Sequence, residues 1–196
     1  MIHHLKGPFE KISGPFVTLL LRHNITATHL SLTAFFGTVF ASIFIVFEQM
    51  KIGSWLFLIF SLFDALDGSL ARKNNTEKPT GALIDSVMDR FSDSAILFSI
   101  ILYGFHIGNK TILLLGLLAL IASLTTSYIK AKAEIFMEFG PIGLLQRPER
   151  ILIIFLMLLF SQYLIAGLWV LVIGGYITVG QRFYAAYKIL NRQFLS

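Results

Sequence analysis

The 196-residue chain contains no cysteine. Disulfide frameworks, thiolate metal sites and cysteine nucleophiles are excluded with it. Charge is also scarce: Asp, Glu, Lys and Arg make up 14% of residues, against roughly 25% in soluble domains. With 56% hydrophobic residues and a mean hydropathy of +0.76, the chain cannot cover a soluble surface and reads as a membrane protein. Disordered, collagen-like and coiled-coil organisations do not fit this composition. The charge that is present is unbalanced, with 16 basic against 11 acidic residues. That excess suggests anionic partners, either lipid headgroups or a phosphorylated substrate. Nucleic acid is not expected, because the basic residues gather on one side of a membrane.

A hydrocarbon core of ~30 Å needs about 20 apolar residues in a helix. Ala27–Phe47 supplies a first span. A second begins near Ile52 and continues in helical spacing through Asp64, Asp67 and Arg72. A third starts near Thr80, with Asp85, Asp89, Arg90 and Asp93 in its first half and a clean second half, Ala95–Phe105. A fourth covers Thr111–Tyr128 and ends at Lys130 and Lys132. Ile151–Gly180 is 30 residues without a charge, too long for one crossing at 1.5 Å per residue, so two helices turning near Ser161–Gly167 are expected. Ahead of these, Ile2, Leu5, Phe9 and Ile12 recur at helical spacing and predict an amphipathic interfacial helix within residues 1–22.

The expectation is therefore an all-α bundle of six membrane spans over 26–190. Lys51 and Lys110 fall on one side of it, and the other 14 of the 16 basic residues fall on or near the opposite side, with both termini. The positive-inside bias makes that side cytoplasmic. Asn109-Lys110-Thr111 has the form of a glycosylation sequon but sits in a very short loop on the other face, and is read as chance. The histidines at 3, 4, 23, 29 and 106 show no metal-ligand spacing and receive no role.

The anomaly is acidic. A charge at the centre of a membrane helix costs roughly 2.5–3.5 kcal/mol, yet the second and third spans hold Asp64, Asp67, Asp85, Asp89 and Asp93. Asp64, Asp67, Gly68, Ala71 and Arg72 share one helix face, and Asp85, Asp89 and Asp93 share another. A short connection around Lys73–Pro79 lets both faces converge at the cytoplasmic ends. Clustered carboxylates raise their pKa values or bind cations. All-oxygen ligands point to a hard metal such as Mg²⁺ or Mn²⁺, and two such ions would balance Asp64, Asp67, Asp85 and Asp89. Two-metal sites suit displacement at phosphorus. Gly68, Ala71 and Gly81 leave room for close helix approach or a bulky ligand, and Arg72 could meet a diphosphate. Two other readings are open: a structural ion-pair network of Arg72 and Arg90 with the acids, and an ion-coupled transporter.

The stretch DALDGSLARKNNTEKPTGALIDSVMD from Asp64 reads D-x2-D-G-x2-A-R-x8-G-x3-D-x3-D without a departure. It resembles the signature of the CDP-alcohol phosphotransferases, integral membrane enzymes of phospholipid synthesis. The resemblance extends from about Thr26 to Arg182. It implies a single domain over 1–196, six membrane helices after an interfacial helix, and a homodimer. It further implies that Asp64 and Asp85 bridge two divalent metals, that Asp67 and Asp89 each hold one, and that Asp89 is the general base. Gly68, Ala71, Arg72 and Gly81 would line the CDP site. The acceptor alkoxide would attack the β-phosphorus of a CDP-lipid, CDP-diacylglycerol or CDP-archaeol, and CMP would leave. Upstream, Thr26, Thr28 and Ser31 lie where the family has a Thr-Pro-Asn-x-x-Thr-like run, with Ala27 in place of Pro and Thr28 in place of Asn. Thr28 and Ser31 are then nucleotide contacts, or Thr26 or Thr28 is a helix cap. Lys78 would reach the nucleotide or face solvent.

The second half bears on the acceptor. Ser127-Tyr128-Ile129-Lys130-Ala131-Lys132-Ala133-Glu134, Arg147-Pro148-Glu149-Arg150 and Gln181-Arg182 resemble the phosphatidylinositol-phosphate synthases and their archaeal archaetidylinositol-phosphate counterparts. That similarity implies inositol 1-phosphate as acceptor, with Lys130, Arg150 and Arg182 binding its phosphate. A phosphomonoester needs such a cationic pocket, although positive-inside bias alone also puts basic residues at helix ends. Glycerol 3-phosphate is the alternative acceptor. The short, apolar connection between the last two helices departs from the family pattern, on the external face.

Overall fold

The computed structural model describes residues 26–73, 79–136 and 139–193, with the backbone alone described at 27, 65–73 and 192–193. The expected interfacial helix lies outside the described residues, as does Lys78. Among the described residues there is no strand. The chain runs through α1 (Ala27–Val46), α2 (Met50–Lys73), α3 (Pro79–His106), α4 (Lys110–Ala133), α5 (Arg147–Leu159), a 3₁₀ turn (Ser161–Tyr163) and α6 (Leu164–Gln193). The long uncharged stretch does divide in two, at the expected place. Among the described residues, three segments are long and apolar enough to cross a membrane: Thr28–Val46, Lys110–Ala133 and Ser161–Asn191. Charge keeps α3 from that description, and α5 has only 13 residues.

The helix ends are specified locally. Thr26 caps α1: its Oγ1 accepts from His29 N, while His29 Nδ1 accepts from Thr26 N. This reciprocal pair is a capping box with histidine in the usual Glu or Gln position. It gives His29 the role that the sequence reading withheld, and it makes Thr26 rather than Thr28 the cap. Asn109 caps α4, its Oδ1 accepting from Thr111 N and Ile112 N at 3.1 Å each. The sequon is thus a helix start.

Two turns use the same Schellman closure. Gln49 N donates to Phe44 O and Glu48 N to Ile45 O; Asn109 N donates to Gly104 O and Gly108 N to Phe105 O. The left-handed residue is Gly108 in one (φ 69°) and Glu48 in the other (φ 65°).

Among the described residues α1 packs on α2, α3 on α4 and α5 on α6, each pair joined by a tight turn. A Cβ at Gly37 of α1 would collide with the Phe60 ring of α2, and one at Gly167 of α6 with Met157 of α5, so these glycines permit close approach. Phe35 of α1 packs on Phe91 of α3, with ring centroids 6.0 Å apart. This brings the α1 N-terminus, with half-buried Thr28 and buried Ser31, to the same end as Asp85 and Asp89.

The bundle has two unlike halves. In one half all six helices contribute to an apolar core built on Ile45, Phe57, Ile100, Leu115, Leu158 and Leu168. Its polar groups are satisfied within their own helices: Ser42 donates to Thr38 O, Ser54 to Lys51 O and Ser99 to Ile96 O. Large apolar side chains also face outward, among them Phe36, Phe98, Ile121 and Trp169, as a lipid-facing surface requires. The other half holds the buried charges, Asp64 and Arg182.

Candidate metal and phosphate site

At the charged end, α2 delivers Asp64 and α3 delivers Asp85 and Asp89. Each offers a carboxylate oxygen, and the three oxygens lie within 4.8 Å of one another. Asp64 is buried; Asp85 and Asp89 are half-buried. Buried carboxylates this close need positive charge between them. The set is all oxygen. These residues fit a hard divalent cation. The side chains of Asp67, Gly68, Ala71 and Arg72, on the last turns of α2, lie outside the described residues. A Cβ at Gly81 would meet nothing within 4 Å, so this glycine leaves open space on α3 rather than a helix crossing.

Among the described residues, Arg90 touches only the edge of the acids. Arg90 donates from Nη1 to Ser86 O at 2.6 Å and stands 3.7 Å from Asp89. Arg147, the first residue of α5, inserts instead. Its Nη1 pairs with Asp64 Oδ2 and lies 2.6 Å from Asp89 Oδ1, and its Nε is 3.7 Å from Asp93 Oδ1. The sequence reading quoted Arg147 in its motif but gave it no role. Asp93 was likewise noted without one, although it lies on the Asp85/Asp89 face. Arg150 follows one turn after Arg147, and its Nη2 lies 2.8 Å from Asp93 Oδ2. Asp93 thus joins the two arginines, and through Arg147 it connects to the acidic cluster.

Arg150 and Arg182 meet at Thr126 of α4. Arg150 Nη1 donates to Thr126 Oγ1 at 3.2 Å, and Arg182 Nη1 donates to Thr126 O at 2.8 Å. Arg182 also donates from Nε to Ile142 O at 2.8 Å. A buried Arg182 with two donors on backbone carbonyls is an anchor. Lys130 lies one turn beyond Thr126 and pairs with Glu134 at 3.5 Å, both partly exposed.

The segment leading into α5 is fixed to α6. Leu144 N donates to Gln181 Oε1 at 2.8 Å and Leu145 N to Thr178 Oγ1 at 2.9 Å. Gly143 makes this docking possible. Its φ is +124°, open only to glycine, and a Cβ there would strike Thr178 Cγ2. This grip sets where α5 starts, and hence where Arg147 and Arg150 point. A small cavity borders the network, with Asp93, Ser123, Thr126 and Arg150 on its polar side and Leu97 and Ile154 among its apolar lining.

Comparison with known proteins gives one consistent result. The family model for CDP-alcohol phosphatidyltransferase matches residues 24–180. The archaetidylinositol phosphate synthase of Pyrococcus horikoshii is 34% identical over 188 residues, 95% of each chain. The crystal structure of Mycobacterium tuberculosis phosphatidylinositol phosphate synthase with CDP-DAG bound superposes with a TM-score of 0.83 at 28% identity, covering 90% of this chain and 94% of that one. The same enzyme in complex with manganese and citrate gives a TM-score of 0.82 at 28% identity, covering 88% of each chain.

Proposed function

The chain belongs to the CDP-alcohol phosphatidyltransferase family, and from that premise we propose that it transfers a phosphatidyl or archaetidyl group from a CDP-lipid to inositol 1-phosphate, releasing CMP. It is an enzyme and a membrane protein. The observation that carries the acceptor is the layout of charge. One end of the bundle holds a carboxylate cluster, and beside it lie the guanidiniums of Arg150 and Arg182, joined through Thr126. Carboxylates holding divalent metal suit the diphosphate donor; guanidiniums suit a phosphomonoester acceptor. The names of the archaeal and mycobacterial relatives support the same acceptor.

Asp64, Asp67, Asp85 and Asp89 would hold two divalent ions, Mg²⁺ or Mn²⁺. When bound, the metal supplies charge neutralisation at the reacting phosphorus. The remaining work belongs to the chain. Asp89 takes the proton from the acceptor hydroxyl as that oxygen attacks the β-phosphorus. Lys130, Arg150 and Arg182 hold the acceptor's phosphate and so align its hydroxyl for attack. Thr28, Ser31, Gly68, Ala71, Arg72, Lys78 and Gly81 cradle the CDP-lipid, Gly81 by the open space at its Cα.

We place all six helices in the membrane as one domain, with both termini and the site on the cytoplasmic side of the plasma membrane and a second copy of the chain as partner. The sealed apolar half of the bundle argues against a transport path, because polar groups there bond within their own helices.

Arg150→Ala and Lys130→Ala test the acceptor pocket. Each is expected to raise the KM for inositol 1-phosphate at least tenfold, about 1.4 kcal/mol of binding, with the CDP-lipid KM little changed. Equal effects on both substrates would remove these residues from the acceptor site.

A further inference from the structure

We propose that Arg147 is a resident counter-cation of the acidic cluster, and that its ion pairs and divalent metal exclude one another. The inference rests on the metal reading above. Arg147 Nη1 pairs with Asp64 Oδ2 and lies 2.6 Å from Asp89 Oδ1. Those two residues belong to the carboxylate trio whose oxygens lie within 4.8 Å of one another. Guanidinium and metal therefore compete for the same two carboxylates. A divalent ion sits roughly 2.0–2.6 Å from its ligands, and a guanidinium on those same ligands would stand against it, like charge to like charge, in a poorly solvated site.

The side chain has somewhere to go. Arg147 Nε is buried without a hydrogen-bond partner, and Asp93 Oδ1 is 3.7 Å from it. Arg150 takes Oδ2 of the same carboxylate, so Oδ1 can accept a full pair from Arg147. A rotation about the outer side-chain bonds would move the guanidinium from Asp64 and Asp89 onto Asp93, beside Arg150. Among the described residues, Arg90 is occupied by Ser86 O and reaches Asp89 only at 3.7 Å, so it does not duplicate the role. Without metal, Arg147 keeps buried carboxylates compensated. With metal, it adds a positive charge next to the acceptor pocket. Linkage makes the two events reciprocal: whatever metal binding does to the Arg147 pairs, those pairs do to metal affinity.

Mn²⁺ titration of the detergent-purified full chain, read by the EPR signal of free Mn²⁺, tests this. Arg147→Met is expected to bind Mn²⁺ at least about tenfold more tightly than wild type, while Arg147→Lys, which keeps the charge, stays within about threefold. The metal-free Tm of Arg147→Met should fall, and saturating Mn²⁺ should restore most of the loss. Unchanged or weaker Mn²⁺ binding by Arg147→Met would overturn the proposal. Should that variant not fold, phenylglyoxal labelling of wild-type Arg147, read by peptide mass spectrometry, replaces it. Labelling should rise when Mn²⁺ is added, and equal or lower labelling overturns the proposal. Wild type that binds no Mn²⁺ would overturn the metal reading itself, a different failure from Mn²⁺ binding indifferent to residue 147.

Discussion

Asp93 and Arg150 offer a quantitative handle on the polar half of the bundle. Their side chains are each 13% exposed and 2.8 Å apart. Removing one partner of such a pair leaves an uncompensated buried charge, at a cost of about 3–5 kcal/mol. The surroundings set where in that range each variant falls. In Arg150→Met, Asp93 keeps Ser123 Oγ at 3.4 Å and Arg147 Nε at 3.7 Å, so the loss should be near ~3 kcal/mol. In Asp93→Leu, Arg150 keeps, among the described residues, Thr126 Oγ1 alone, with Arg182 bound to the same residue, so the loss should be ~5 kcal/mol.

The double variant removes both charges and puts apolar atoms beside the cavity that Leu97 and Ile154 already line. It should be more stable than the sum of the singles by at least about 2 kcal/mol. For a chain of this length, each kcal/mol corresponds to about 2–4 °C in Tm, so thermal unfolding in detergent resolves the difference. Additivity within about 0.5 kcal/mol would refute a direct, desolvated pair.

Three further outcomes are expected. Asp89→Asn should abolish turnover with the fold and CDP-lipid binding largely intact, as judged by Tm and ligand-induced Tm shift; wild-type activity would remove its role as base. Gly143→Ala forces a side chain into a left-handed backbone and against Thr178, so it should cost about 1–3 kcal/mol and raise the acceptor KM by displacing the start of α5. An unchanged KM would detach the segment's docking from the placement of Arg150. Chelation of divalent metal should stop CMP release, with recovery on adding Mg²⁺ or Mn²⁺; activity that survives chelation would contradict the metal site.

Much of this was legible in the sequence because two signals were local. Apolar run lengths place the helices, and the turn through Ser161–Tyr163 follows from a stretch too long for one crossing. The carboxylates announce themselves because each breaks an apolar helix at a fixed spacing. What stayed hidden depends on partners distant in the chain. Arg147 meets Asp64 from 83 positions away, and Arg150 meets Asp93 from 57. Positive-inside bias makes basic residues at helix ends ordinary, so Arg147 carried no distinguishing mark beside Arg150. Arg182 was expected as a phosphate ligand, and its bonds to Thr126 O and Ile142 O could not be read in advance, since any carbonyl can accept them. His29 was overlooked because a capping box is searched for with Glu or Gln.

The central claim is the reaction itself. The direct measurement is CMP release from a CDP-lipid by the detergent-purified protein with Mg²⁺, with inositol 1-phosphate, free inositol, glycerol 3-phosphate and serine offered in parallel. Turnover with inositol 1-phosphate alone is the predicted result. Turnover with glycerol 3-phosphate instead would preserve the acidic centre and contradict the acceptor, and no CMP with any of the four from folded, metal-loaded protein would contradict the account as a whole.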